Sequence, residues 1–538
     1  MAILSVDILR QGVSWATEAM VQTEYLGTKI LAATIALYAA GRILYLLNYA
    51  PLSKIPGSRI GKLTMLKADL TTLFGWLGDT CESEYYKYGD IYVVGPNAVV
   101  ISNPSDCKTV LGSHRFIKAG MYRHFALIEH TMFTTQSPEL SRVRRRQVGP
   151  AFTHGYLNDM EPTILDCGIR AIKRKWDDLI ETSGTGGEAT VPYSLHFLLT
   201  SFDIIGALGY GQRFNTLRDS TGKIVEWVDN YNRLARLRIV FPSTNWYPLS
   251  RVIKPLEKNI DELAAFGDAA AAKRREMLRY GEMEKPPRDI LQAMIDAEDP
   301  KSHVRMTQKQ ITAETIGILI GGTDTTAMTI IWTLHYLLLY PDAYKRAVRE
   351  VRGKFARNHT VNYAEGKAEL PFIDACIHES MRIRAVSGVF LPRIVPKGGA
   401  TFQGHFLPGG TRIVVNVAGA NHHQGTWEQP RKFMPERFLD EGEKMKQNVM
   451  TFSSGVRICP GRNLAMYEMI TILANLLKDY DFSLPSNSLF RPDRVDRDGY
   501  PIAMPRTHNP IVLPKYPERD CLVVIRHAPD SSYGKECV

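Results

Sequence analysis

The stretch Phe452–Gly461, FSSGVRICPG, places one cysteine between two glycines and beside an arginine and a proline, just before an apolar run that predicts a helix. Glycine lets the backbone turn tightly, so that amide N–H groups and a helix N-terminus can face the sulfur of Cys459. Such surroundings stabilise a thiolate, the form of cysteine that binds metals. The stretch therefore predicts that Cys459 is a metal ligand.

A buried structural cysteine is the competing interpretation, because that is the commonest fate of a free thiol. The spacing F-x-x-G-x-R-x-C-x-G favours the ligand, since five identities coincide: Phe452, Gly455, Arg457, Cys459 and Gly461. A thiolate in such a loop is suited to be the axial ligand of haem iron. Arg457 is placed to pair with a haem propionate.

Composition narrows the class of protein. The 538 residues include 66 Lys and Arg against 56 Asp and Glu, and the excess of 10 positive charges is spread along the chain. That distribution does not indicate nucleic acid; an acidic protein partner or an anionic membrane surface fits it better. The seven cysteines show no CxxC or regular spacing, which argues against a disulfide framework and for reduced thiols facing the cytosol.

The N-terminal part predicts a membrane anchor. Ile30 to Tyr49 is apolar apart from Arg42 and has the length that spans a bilayer. A buried core helix and a signal peptide are the alternatives. Acidic residues outnumber basic ones before this run and basic residues outnumber acidic ones after it, so the positive-inside rule leaves the remainder in the cytosol. We expect a lumenal segment (1–29), a transmembrane anchor (30–49), a proline-containing linker (50–58) and a haem-binding domain (59–538).

Beyond the anchor the pattern predicts a mainly helical chain with small sheets. Residues 86–103 alternate apolar and polar positions between turn signals, which predicts a hairpin. Thr307 and Gln310 form a capping-box pattern, and no proline follows until Pro341, so we expect one long helix. Its middle carries GGTDTT, Gly321 to Thr326, whose residues are poor helix formers. Such a cluster suggests that something lies against the helix.

In these motifs, their order and their spacing, the chain from Pro51 onward resembles the cytochrome P450 family, of the membrane-anchored microsomal type and close in pattern to filamentous-fungal members. The resemblance implies a mainly α fold with small β-sheets (α+β), a long central helix over haem b and an N-terminal transmembrane helix. Gly321 and Gly322 would let that helix approach the haem and dioxygen. Asp324 and Thr325 would relay protons.

The resemblance also assigns supporting residues. ESMR matches the family's E-x-x-R, so Glu379 and Arg382 would form a network with Arg437 of PERF and support the segment that carries the cysteine. Arg145 aligns with the arginine of the family's W-x-x-x-R, which contacts a propionate, although Ser141 stands where the tryptophan would be.

Arg393, in LPR, falls where the family often places another propionate ligand, with a surface arginine as the rival interpretation. The resemblance further implies an NADPH- and O2-dependent monooxygenase that hydroxylates a lipophilic small molecule. Steroid-like, terpenoid and fatty-acyl substrates all remain open. We expect five segments to line the pocket: Phe116–Phe133, Phe202–Phe214, Ile316–Thr325, Val386–Leu391 and Tyr500–Met504.

The implied partners are NADPH-cytochrome P450 reductase, with cytochrome b5 as a second candidate, and the endoplasmic reticulum membrane, crossed once with the catalytic domain in the cytosol. Because the reductase is acidic, basic side chains on the thiolate-side face would form the docking surface. The candidates are Arg142, Arg144, Arg146 and Arg462, with ordinary solvated charge as the alternative.

Two other classes share part of the pattern. A haem-thiolate isomerase that rearranges peroxides without a reductase has little use for an Asp-Thr pair, so Asp324 and Thr325 count against it. A non-enzymatic haem sensor or carrier does not need an oxygen groove opposite the cysteine. A zinc hydrolase is not supported, because His422 and His423 lack a partner carboxylate at ligand spacing.

Overall fold

The computed structural model describes residues 2–126, 128–184, 186–220, 223–248, 250–281, 285–389, 391–439 and 442–529. Helices dominate, and the strands are short, which confirms the predicted mainly α class with small β-sheets. The helices are α1 Ala2–Asn48, α2 Arg59–Leu63, α3 Leu66–Leu73, α4 Leu77–Tyr88, α5 Pro104–Leu111, α6 Pro138–Val148, α7 His154–Ile164, α8 Ala171–Thr182, α9 Tyr193–Tyr210, α10 Thr216–Asp219, α11 Lys223–Val240, α12 Ser250–Arg279, α13 Ile290–Asp296, α14 Gln308–Leu339, α15 Pro341–Lys354, α16 Tyr363–Glu369, α17 Pro371–Ile383, α18 Val417–Asn421, α19 Gly442–Lys446, α20 Arg462–Asp479 and α21 Pro517–Asp520.

The strands are β1 Ile91–Gly95, β2 Ala98–Ile101, β3 Ile117–Lys118, β4 Glu188–Pro192, β5 Leu391–Ile394, β6 Ala400–Phe402, β7 His405–Leu407, β8 Arg412–Val415, β9 Tyr480–Ser483, β10 Arg506–His508, β11 Val512–Pro514 and β12 Leu522–His527. The hairpin predicted within 86–103 is formed by β1 and β2. It opens a five-stranded sheet of order β1-β2-β8-β5-β3, in which β2 and β8 run parallel. The antiparallel register of β3 and β5 sets Lys118 opposite Arg393.

Helix α1 contains a segment long and apolar enough to cross a membrane, Leu26–Asn48, of 23 residues. Only 6% of it is buried inside the protein, unlike a core helix. At about 1.5 Å per residue it extends about 35 Å, enough for the hydrocarbon core of a bilayer. The helix ends shortly before Pro51, which cannot continue it.

Helix α14 is the long helix that the sequence predicts. Thr307 and Gln310 form the capping box at its start, and its 32 residues end at Leu339, two residues before Pro341. The helix packs against α9, α17 and α20, so its C-terminal half is almost entirely buried. The GGTDTT stretch lies near its middle without breaking it.

Candidate functional site

The cysteine loop is held in a tight backbone conformation. The amide of Cys459 donates to the carbonyl of Phe452 at 2.8 Å, and Gly455 has a φ of +55°. A Cβ atom at Gly455 would lie 2.6 Å from the Cα of Gly112, so no larger residue fits there. The loop leads directly into α20, which begins at Arg462.

Hydrogen bonds and nearby charges around the Cys459 sulfur favour its thiolate form, whereas burial opposes it. Backbone amides of Gly461 and Arg462 donate to it, and the side chains of Arg145 and Arg462 add positive charge, although burial outweighs them and raises the pKa of the thiol. Of the six cysteines that the structure describes, only Cys459 leaves part of its residue surface open to solvent, and the other five are buried. This donor set fits a thiolate that binds a metal ion, since the metal supplies the missing positive charge.

A cluster of buried cations lies beside the loop. Arg457 is 7% exposed and Arg393 is 2% exposed, and Arg145 donates to the carbonyl of Ile458 at 2.7 Å. Burial, together with the charges of Arg393 and Arg145, lowers the pKa of Arg457 to about 10. The cluster therefore carries more positive charge than its surroundings neutralise.

Lys118 is a further member of this cluster, and the sequence pattern did not reveal it. Its side chain is 6% exposed and donates to the carbonyl of Met132 at 3.1 Å. Burial and the charges of Arg393, Arg457 and Arg145 lower its pKa well below the usual value. Lys118 is placed in the cluster by strand β3, which has only two residues. A strand that short cannot be recognised from the sequence pattern alone.

The cluster fits the two carboxylates of a haem. Among the described residues, buried guanidinium nitrogens without a hydrogen-bond partner include Nε of Arg145, Nε of Arg393, and both Nε and Nη2 of Arg457. Such donors are costly to leave unpaired. Anionic propionates beside the Cys459 loop would satisfy them, so the residues present fit haem b.

Ser141 occupies the position at which the family pattern has tryptophan. Its hydroxyl accepts a hydrogen bond from Nη1 of Arg457 at 2.8 Å, and the residue is 1% exposed. The serine therefore changes how Arg457 is held. Its hydroxyl accepts a hydrogen bond from the guanidinium, which an indole N–H, a donor only, could not do.

Glu379 and Arg382 form a fully buried ion pair on α17. Arg382 donates to both carboxylate oxygens of Glu379, at 2.7 and 2.8 Å, and Arg437 donates to the same carboxylate at 3.1 Å. The Nη1 atom of Arg382 donates to the carbonyls of Asn421 and Pro430 at 2.9 and 2.8 Å. The network thus ties α17 to the irregular segment that follows α18.

The network reaches the cysteine loop through Asn421. The side-chain oxygen of Asn421 accepts from the amide of Met450 at 2.9 Å, and the hydroxyl of Thr451 donates to the carbonyl of Met381 at 2.7 Å. Thr451 immediately precedes Phe452. The Glu379 and Arg382 pair therefore supports the chain at the point where the cysteine loop begins.

The two glycines of the GGTDTT stretch on α14 have different surroundings. Gly321 has open space where a Cβ would stand, whereas a Cβ at Gly322 would lie 2.8 Å from the side chain of Ile205 on α9. Gly322 therefore allows α9 to pack closely, and the predicted approach of the helix to the haem at these two glycines stays a prediction. Gly321 alone lies on the open side.

Asp324 and Thr325 follow these glycines. Burial raises the pKa of Asp324 to about 7, with a further increase from Asp229 and a decrease from a hydrogen bond with Asn232. The hydroxyl of Thr325 donates to the carbonyl of Gly321 at 2.6 Å, which leaves its lone pairs free to accept a hydrogen bond. A carboxyl group with this pKa can take up and release protons at neutral pH.

The four arginines predicted as a docking surface do not share one environment. Arg144 is only 2% exposed and donates to Gln147 at 2.7 Å, so its assignment to the surface is wrong. It lies on the buried side of α6, where its Nε atom stands 3.7 Å from the carboxylate of Glu314 on α14. Arg146 is paired with Asp299. Arg142 and Arg462 are exposed.

The adjacent histidines His422 and His423 each contact a different part of the protein. The Nε2 atom of His422 lies 3.1 Å from the carbonyl of Ile383, and that of His423 lies 3.3 Å from the carboxylate of Asp90. The two rings therefore have separate structural partners.

The family model for cytochrome P450 matches residues 69–497, which contain the E-x-x-R pair, the GGTDTT stretch and the cysteine loop. The chain belongs to the cytochrome P450 family. Two cytochrome P450 monooxygenases of Aspergillus fumigatus, helB1 and helB2, are each 39% identical to this P450 over 92% of its chain, which covers 85% and 98% of their lengths. The family and these relatives identify an oxidoreductase of the monooxygenase class.

A solved structure shows the same fold. The crystal structure of the cytochrome P450DA heme domain superposes with a TM-score of 0.71 at 18% identity, over 88% of this P450 and 98% of that chain. The predicted fold with its long central helix is thereby confirmed. Family membership implies haem as the cofactor, in agreement with the donors around Cys459 and the cation cluster.

Proposed function

We propose that this P450 is an NADPH- and O2-dependent monooxygenase that hydroxylates a lipophilic small molecule. The observation that carries the proposal is the pairing of two features: a cysteine loop whose amides face the sulfur of Cys459, and a mid-helix Asp324 whose pKa is raised to about 7. The first suits a haem ligand. The second suits proton supply, which an isomerase or a haem carrier does not need.

When bound, haem supplies the activation of dioxygen that no side chain can perform. The chain's own residues do the rest. Cys459 would hold the iron, while Arg145, Arg393, Arg457 and the neighbouring Lys118 would hold the propionates. Asp324 takes a proton from solvent and releases it toward Thr325. The Thr325 hydroxyl, which donates to Gly321, accepts that hydrogen bond and fixes where the proton is delivered.

A lipophilic substrate is supported by the aromatic side chains near the cation cluster. Phe133 is 51% exposed although its ring packs edge-on against Tyr122 and Phe125, with centroids 5.4 and 5.8 Å apart. All three lie within the predicted lining segment Phe116–Phe133. Their apolar faces favour a steroid-like, terpenoid or fatty-acyl molecule over a polar one.

Electrons are proposed to come from NADPH through NADPH-cytochrome P450 reductase, with cytochrome b5 as a second donor. The exposed Arg142 and Arg462 support this proposal, because both belong to the helices next to the cysteine loop. An acidic partner surface would complement them.

The proposed location is the endoplasmic reticulum membrane, with residues 1–29 lumenal, 30–49 spanning, 50–58 as the linker and 59–538 as the cytosolic haem domain. Apolar side chains exposed shortly after the anchor support a membrane-facing surface. They are Ile60, Leu66, Leu70, Phe74 and Trp76. Burying them in the headgroup region would remove apolar area from water.

A carbon monoxide difference spectrum of the reduced enzyme, followed by oxygen uptake with NADPH and reductase, tests the function. We expect the red-shifted band of thiolate ligation and NADPH-dependent uptake. A band without uptake would favour the isomerase or the carrier. The substrate class is then sought by screening a lipophilic library for the spin-state shift that follows displacement of iron-bound water.

A further inference from the structure

The segment Thr131–Thr134 forms a turn, here called the threonine turn, that is closed by its own end residues. The amide of Thr131 donates to the hydroxyl oxygen of Thr134 at 2.8 Å, and the amide of Thr134 donates to the hydroxyl oxygen of Thr131 at 3.1 Å. Both threonines are buried, whereas Phe133 between them is 51% exposed. The turn therefore presents one large apolar ring to open space while its ends are fixed in the protein.

Two side chains from other elements hold the threonine turn. A carboxyl oxygen of Glu314, on α14, accepts from the amide of Met132 at 2.6 Å. The ammonium group of Lys118, in β3, donates to the carbonyls of Met132 and Phe133 at 3.1 and 2.5 Å. Both side chains are buried, where loss of a hydrogen-bond partner is costly. The backbone of Met132 and Phe133 is therefore bound from two elements at once.

The threonine turn lies on the face of α14 that also carries Gly321 and Thr325. Gly317, Gly321 and Thr325 are spaced by four residues, which places them on one face of the helix. A Cβ atom at Gly317 would lie 3.8 Å from Cγ2 of Thr131, so the turn contacts the helix there. One helical turn later, Gly321 has open space where a Cβ would stand. The threonine turn therefore borders the open side of α14.

The ring of Phe133 also borders the cation cluster. Its centroid lies 5.4 Å from that of Tyr122, whose hydroxyl accepts from Nη1 of Arg393 at 3.0 Å. The Nζ atom of Lys118 lies 5.6 Å from the Phe133 centroid. Phe133 is therefore close both to the residues that fit the propionates and to the open side of α14.

We propose that Phe133 is a wall of the substrate pocket and that Glu314, by holding the amide of Met132, sets how far this ring projects and so which lipophilic molecules fit. Glu314 is a positioning residue, because it is buried behind the turn that it holds. Lys118 shares this task but also belongs to the cation cluster. The inference rests on the proposed function, since it names residues that select the substrate of that site.

Hydrogen exchange of the full-length, haem-loaded protein in nanodiscs tests the positioning. We expect Glu314→Leu to speed exchange of the Met132 amide about tenfold, because the amide loses its acceptor. Glu314→Gln is the matched control. Its side-chain oxygen still accepts from the amide, so the exchange rate should stay within about twofold of the wild type.

Binding of two azoles to the oxidised enzyme measures the pocket without NADPH, reductase or turnover. Imidazole and econazole both bind haem iron through a ring nitrogen and shift its absorption band, but only econazole is large enough to contact the pocket walls. We expect Phe133→Ala and Glu314→Leu to raise the Kd of econazole about tenfold through lost apolar contact, and to leave that of imidazole unchanged. Phe406→Ala, at a ring that is 59% exposed on β7, is the control and should bind both like the wild type.

Gly317→Val displaces the threonine turn without changing any charge, and it replaces Glu314→Leu if that variant loses haem. Its methyl groups extend beyond the point at which a Cβ already contacts Thr131. We expect a Kd for econazole about tenfold above that of the wild type, because overpacking moves the turn. Gly317→Ala, whose Cβ makes an ordinary contact, is the control and should bind econazole like the wild type.

The proposal is overturned if Glu314→Leu leaves exchange of the Met132 amide unchanged, or if Phe133→Ala binds econazole like the wild type. Wild-type econazole binding in both Glu314→Leu and Gly317→Val would also overturn it. A wild type that consumes no oxygen with NADPH and reductase contradicts the proposed function instead, while the azole titrations still decide whether Phe133 lines the pocket.

Discussion

Lys118 and Arg393 stand directly opposite each other in the antiparallel pair of β3 and β5, and both are buried. Like charges in that arrangement repel, so an anion beside the pair would stabilise it. Arg457 and Arg145 add further positive charge to the same cluster. A bound haem, through its propionates, is the anion that the fold implies.

Replacement of Lys118 by methionine should weaken haem binding by about tenfold, the loss of one charge-assisted hydrogen bond. The measurement is haem transfer to an acceptor protein such as apomyoglobin. Lys397→Met, at an exposed lysine, is the control and should retain haem like the wild type. Equal haem retention in both variants would remove Lys118 from the propionate site.

Glu379→Ala or Arg382→Ala should abolish haem incorporation, because each leaves a buried charge unpaired at a cost of about 3–5 kcal/mol. The expected result is loss of the red-shifted carbon monoxide band in the purified protein. Glu436→Ala breaks the exposed pair with Arg346, whose members are 51% and 47% exposed. That change should cost at most about 1 kcal/mol. Normal haem content in Glu379→Ala would show that the network is dispensable.

Thr325→Ala should leave haem content and the carbon monoxide band unchanged while NADPH and oxygen are converted largely to hydrogen peroxide. The measured quantity is product formed per NADPH consumed. Thr329→Ala is a matched control, since Thr329 makes the same backbone hydrogen bond one turn later, at 2.9 Å to the carbonyl of Thr325. Both variants lose about 1 kcal/mol of helix stability. Full coupling in Thr325→Ala would contradict its role.

The stability of the haem domain should fall with rising pH because of Glu314. Burial raises the pKa of this carboxyl from 4.5 to about 7, so the folded state binds more protons than the unfolded state between those values. The contribution to the free energy of unfolding therefore decreases by about 1.4 kcal/mol per pH unit over that range.

Glu314→Gln, which can still accept from the amide of Met132, should remove this slope. Urea unfolding at pH 5, 6 and 7 provides the measurement. Glu443→Gln, at an exposed carboxylate, is the control. The same slope in wild type and Glu314→Gln would mean that Glu314 does not titrate in this window.

Deletion of residues 1–49 should leave a domain that binds haem and is extracted from membranes more easily. The apolar side chains around Leu66 and Trp76 should still favour membrane adhesion. Protease added outside intact microsomes should digest the haem domain together with cytosolic-facing markers. Protection of the domain under those conditions would reverse the proposed orientation.

The sequence by itself determined the features whose cause is local. The glycines around Cys459 set the turn of the cysteine loop, and the capping box at Thr307 with Pro341 set the ends of α14. The apolar run before Pro51 set the candidate membrane span. Backbone conformation and hydrophobic length depend on neighbouring residues, so the pattern was sufficient.

Only the tertiary structure decided which side chains share an environment. Arg144 and Arg145 are adjacent, yet one is buried near Glu314 and the other contacts the cysteine loop through Ile458. Asn232 reaches Asp324 from a point 92 residues earlier in the chain. Such neighbours are set by helix rotation and strand register, which depend on how the whole core packs and not on any one segment.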